Sequence, residues 1–106
     1  MSKASILKAI ELRQFATPEI STRLEASIDG TSSLVVRGED TGPSVQMVWG
    51  APRYDYWLKI EDRFKDSVLL WLLQEQFSGG SGFRSDAELR EWLLQKGIPC
   101  SFGSKN

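Results

Sequence analysis

The chain has no histidine, a single cysteine, and no purely apolar run longer than VLLWLL in 106 residues. Each absence closes a class of chemistry. Without histidine there is no usual general base, no Ser-His or Cys-His nucleophile pair, and none of the commonest transition-metal ligand. A lone Cys100 excludes intrachain disulfides and Cys-rich zinc patterns, and with no activating partner in view it reads as a small apolar residue. VLLWLL is too short to span a bilayer. The opening stretch MSKASILKAIELRQF is broken by Lys8, Glu11 and Arg13 and so lacks the apolar core of a signal peptide. A cytoplasmic, non-membrane protein is therefore expected. Charge of either sign is also missing as a block: 13 basic and 14 acidic residues give a net charge of −1, which is no footprint for duplex nucleic acid.

What is present is the composition of one globular domain covering 1–106, with 41% hydrophobic and 25% charged residues. Residues 3 to 15, rich in helix formers around Ile6, Leu7, Ile10, Leu12 and Phe15, predict an N-terminal helix. From Ile20 the period changes to two. Leu24, Ala26 and Ile28 alternate with polar residues, a DGTS turn follows, and SLVVRG, SVQMVWG and YDYWLKI extend the pattern to a four-stranded antiparallel β-meander. EDRFKDSVLLWLLQEQF predicts a helix apolar nearly all round, which calls for cover from the sheet and from another helix or a second copy. Ser85 with Glu88 forms a capping box, and Gly97 with Ile98 and Pro99 forms a stop, bounding a last helix. Alternation at Ile98, Cys100 and Phe102 adds a short final strand before a frayed GSKN tail. The expected class is thus α+β: N-terminal helix, four-stranded antiparallel β-meander, two C-terminal helices and a short final strand.

The chemistry-bearing residues are few. Asp55, Glu61, Asp62 and Asp66 cluster between the fourth strand and the long helix. They fit helix-start electrostatics and pairing with Arg63 or Lys65 better than a metal or catalytic site. SGGSG at 78–82 follows a helix and lacks the Lys-Ser/Thr of a phosphate loop, so it reads as an interhelical connection. No catalytic residue, cofactor or metal is expected.

The aromatics offer more. Trp49, Tyr54, Tyr56 and Trp57 could stack single-stranded bases, with Arg37, Arg53 and Lys59 as the only local cations. Tyr54 and Tyr56 with Asp55 could instead line a small-ligand or minimal enzymatic pocket between sheet and helix. Strand alternation, however, sends Trp57 to the sheet face opposite Tyr56, where Val35 and Val48 would join it in an apolar patch. A tryptophan on a polar face needs cover, whether from the first helix, a second copy or a partner protein.

The segments DYWLKIEDRFKDSVLLWLLQEQF and FRSDAELREWLLQKGIPCSF, within residues 54 to 102, resemble a group of small bacterial proteins of no assigned function. They share a Tyr-x-Tyr-Trp strand, a Leu-rich helix and a Gly-Ile-Pro ending. In size and organisation the chain is also similar to immunity proteins of bacterial toxin systems. The resemblance implies no catalytic residue. The reading that results is a non-enzymatic protein–protein interaction module, of immunity or regulatory type. Its anchors would be Trp57, Val35 and Val48, with Arg37 and Lys59 as rim, and its partner would be another protein or a second copy. A ligand-binding domain and a single-strand binder are the alternatives.

Overall fold

The computed structural model describes residues 6–105. Five strands, β1 (Ala9–Ala16), β2 (Ser21–Ile28), β3 (Leu34–Thr41), β4 (Arg53–Ile60) and β5 (Ser101–Lys105), form one antiparallel sheet in chain order. Three helices, α1 (Pro43–Trp49), α2 (Lys65–Phe77) and α3 (Asp86–Gln95), complete an α+β architecture.

Two expectations are corrected. The N-terminal helix is instead the edge strand β1 from Ala9 on, preceded by irregular backbone at residues 6–8; residues 3 to 5 of that expectation lie outside the described residues. Helix propensity is a weak prior here, and β1 is held by seven residues pairing along β2, with a register break between Glu11 and Arg13 that leaves out Leu12. The expected third strand, SVQMVWG, is α1. Pro43 takes the first helical turn, where its missing N–H costs nothing. Gly50 at φ 72° ends the helix in the left-handed region, its N–H donating to the Gln46 carbonyl. The sheet therefore has five strands, not a four-stranded meander behind a helix.

Alternation sets the two faces. On one, Leu24, Val36, Tyr56, Leu58 and Ile60 meet Val68 of α2 and Trp92 and Leu93 of α3 in a single core. α3 is fixed at both ends by its own sequence. Ser85 Oγ accepts the Glu88 N–H (3.2 Å), and the Glu88 carboxylate accepts the Arg84 N–H (2.7 Å), a capping box displaced by one residue. At the other end the Ile98 N–H reaches the Leu93 carbonyl and the Gly97 N–H the Leu94 carbonyl, a Schellman ending over buried Ile98. α2 is covered on one side only. Val68 is buried, whereas Leu69, Leu70, Leu73 and Phe77 are exposed on the far side. No helix among the described residues is long and apolar enough to cross a membrane.

Candidate functional site

The helix-free face of the sheet holds a shallow concavity of about 480 Å³. Every residue lining it belongs to β3, β4, β5 or the β2–β3 turn: Val35 and Arg37; Arg53, Asp55, Trp57 and Lys59; Lys105; and Asp29. Register explains the grouping. Arg37 lies opposite Trp57 and Val35 opposite Lys59, while Trp57 lies opposite Gly103 and Asp55 opposite Lys105. Cross-strand neighbours on one face are close enough to act together.

Of the anchors expected from sequence, the fold brings Trp57, Val35, Arg37 and Lys59 to this one hollow. Val48 does not join them. It sits on α1, 71% exposed, because the segment carrying it is helical rather than a third strand. The aromatic cluster divides as alternation requires. Trp49 stacks on Tyr54 (centroids 4.2 Å apart) and Tyr54 leans on Tyr56 (5.5 Å), leaving Trp57 alone on the open face. Tyr54 and Tyr56 are likewise separated from Asp55, which lies on the open face. Tyr56 is buried and donates its hydroxyl to Asp40 Oδ1 (3.2 Å); burial, then the Asp40 charge, hold its phenol well above the usual range. A cavity of about 250 Å³ between sheet and helix layer is lined by Leu12, Val36, Phe83, Asp86 and Leu89 among others, but by none of that trio.

Trp57 packs across the β4–β5 pair. Its indole lies over Gly103, so that a Cβ there would fall well inside contact distance of Cε2, Cζ2 and Nε1. The same device recurs on the other face, where the Tyr56 ring lies over its cross-strand partner Gly38. An aromatic ring packed across a glycine replaces the side chain that the glycine lacks. The indole remains half-buried, and Val35 beside it is only 5% exposed. Together they give the hollow an apolar floor.

Charges ring that floor unevenly. Arg53 is held by Asp55 (3.0 Å) and Glu39 (3.3 Å), and Lys59 by Asp29 (3.3 Å). Arg37 and Lys105 have no ion-pair partner among the described residues, although both line the hollow and are exposed. Four cations thus face two carboxylates, both already engaged, in a chain whose net charge is −1.

Asp29 builds the rim at the hairpin end. Its Oδ1 accepts the Thr31 hydroxyl (2.7 Å), the Thr31 N–H (2.9 Å) and the Ser33 N–H (3.0 Å), an Asx-type turn that leaves Oδ2 for Lys59. The Thr31 hydroxyl, followed by the Ser33 N–H, holds the carboxyl far below the usual carboxylate range. A depressed folded-state pKa gives stability that is present above the unfolded value near 4 and is lost as pH falls. Urea midpoints of the native chain and of Asp29→Asn should therefore differ most at pH 6 and converge toward pH 2. A difference constant across that range would contradict the assignment.

The acidic residues expected near the α2 start resolve into local pairs, Glu61 with Arg63 (3.1 Å) and Asp62 with Lys65 (3.0 Å). Among the described residues no group of three or more His, Cys, Asp or Glu side chains is placed to hold a metal ion. Burial pushes the Cys100 thiol up, with Arg90 pulling the other way.

Two contributors escape a sequence reading, Lys105 and Gly103, because GSKN looks like a tail. The signal that reveals them is the alternation begun at Cys100 and Phe102, which continues through Ser104 in register with β4. Compared with known proteins, the chain matches no family model, no curated protein and no solved structure.

Proposed function

We propose that the chain is a cytoplasmic, non-enzymatic protein-binding module, of regulatory or immunity type, that receives its partner on the open face of the sheet. One observation carries this reading. Two cations without an ion-pair partner among the described residues, Arg37 and Lys105, flank a half-buried tryptophan in a hollow floored by Val35. An aromatic anchor with charged groups at its rim is the arrangement that concentrates energy at protein interfaces, and unpaired cations favour an acidic surface opposite.

The test compares affinity capture by the native chain with capture by Trp57→Ala, Arg37→Glu and, as a control on the helix side, Leu94→Ala. Loss of the partner by about tenfold or more in the first two, with the control unchanged, is expected for truncated anchors. Identical partners and identical oligomeric state in all four proteins would sink the proposal.

A further inference from the structure

We infer that the partner contributes an extended acidic segment that adds as a sixth strand along the free edge of β5, placing a side chain against Trp57. This rests on the open-face reading above and specifies how the face is used. A sheet of five strands in chain order has two edges, and they differ. β1 is interrupted by the register break between Glu11 and Arg13, and such a bulge bends an edge away from further pairing. β5 runs in unbroken register with β4 from Ser101 to Lys105 and contains no proline. Among the described residues β5 pairs with β4 alone. Its outer row of backbone donors and acceptors is therefore the flatter template for an incoming strand.

The hollow extends to that same strand through Lys105. Gly103 offers no side chain, so the indole of Trp57 projects over β5 instead of stopping at β4. A strand laid beside β5 at about 4.8 Å would place alternate side chains on the open face, next to the indole and Lys105. On the opposite side of the edge strand, Phe102 is part-exposed with the Arg90 guanidinium 4.8 Å from its ring centroid. Both faces of β5 thus present a cation beside an aromatic ring, Lys105 with Trp57 and Arg90 with Phe102. The nearest carboxylate on the open face, Asp55, is taken up by Arg53. Charge complementarity selects a segment bearing glutamate or aspartate. It also disfavours a second copy, which would bring its own Lys105 and Arg90 to the seam.

An acetylated, amidated (Glu-Val)4 peptide is a suitable probe, titrated at low salt against the full chain and followed by amide chemical shifts and hydrogen exchange. Saturable binding is expected, with slowed exchange in β5 and none in β1. N-methylating alternate peptide nitrogens should weaken binding about tenfold in one frame and little in the other, since only one set of N–H groups faces β5. Lys105→Gln, which keeps the aliphatic stem on an exposed strand end, should weaken it as well, and (Lys-Val)4 should not bind. No saturable binding, indifference to methylation in both frames, protection at β1, or self-association through β5 would each overturn the added strand. Those outcomes leave the open-face proposal standing, because that proposal fails only if Trp57→Ala and Arg37→Glu keep their captured partner.

Discussion

Truncating Leu93 to alanine is expected to lower the unfolding free energy by about 2–5 kcal/mol, the range for emptying a closed core position. Leu93 has no exposed surface and sits in the same cluster as Leu58 and Ile60 from the sheet. Alanine is the better helix former, so the loss cannot come from weakening α3 locally. It comes from the contacts and apolar burial that join the helix layer to β4. Its backbone carbonyl, which accepts the Ile98 N–H, is untouched by the substitution. Urea unfolding followed by far-UV circular dichroism would show a lower midpoint at constant slope. A shift worth under about 1 kcal/mol would mean that the site collapses freely, contrary to close packing there.

Gly38→Ala is expected to cost about 1–3 kcal/mol, as overpacking does, at a strand position where alanine would otherwise be harmless. The new methyl would fall inside contact distance of Cε2, Cζ and the hydroxyl of Tyr56. That ring cannot swing aside, being 7% exposed and tied through its hydroxyl to Asp40. The equivalent change at Gly103 meets the half-buried indole of Trp57, which can rotate toward solvent, so its effect on stability should be much smaller. Combining Gly38→Ala with Tyr56→Leu should cost less than the two single changes added together. Strict additivity would show that the ring and the glycine are not in contact.

The parts of this fold that sequence makes legible are those where local chemistry and tertiary packing agree. α3 is bounded by its own Ser85–Glu88 and Gly97–Ile98 signals, and the structure places hydrogen bonds at both ends. The opposite orientations of Tyr56 and Trp57 follow from strand period alone. Disagreement arises where two periods compete. Val45, Met47 and Trp49 alternate like a strand, yet Pro43 and Gly50 bracket them as a single short helix, and only Val45 is buried. In β1 good helix formers mask the strand, and its alternation is broken at the bulge, where Leu12 and Arg13 line the same cavity. Pairing with β2 decides it, and pairing partners are distant in sequence. The hollow was half legible for the same reason. Trp57, Val35, Arg37 and Lys59 lie on strands with clear alternation, whereas Lys105 and Gly103 become part of it only once β5 docks beside β4.

Adjacent residues of β4 thus key the strand on both sides. A two-residue slip of β3 along β4 would set Val36 or Asp40 beneath the Tyr56 ring in place of Gly38; the same slip of β5 would set Ser101 or Lys105 beneath Trp57 in place of Gly103. Even-numbered slips preserve which face is apolar, so hydrophobic patterning does not forbid them. The two rings oppose them, Tyr56 firmly because it is buried and Trp57 more weakly because it is not. β4 thus acts as a lock whose two wards, one rigid and one yielding, are cut on opposite sides.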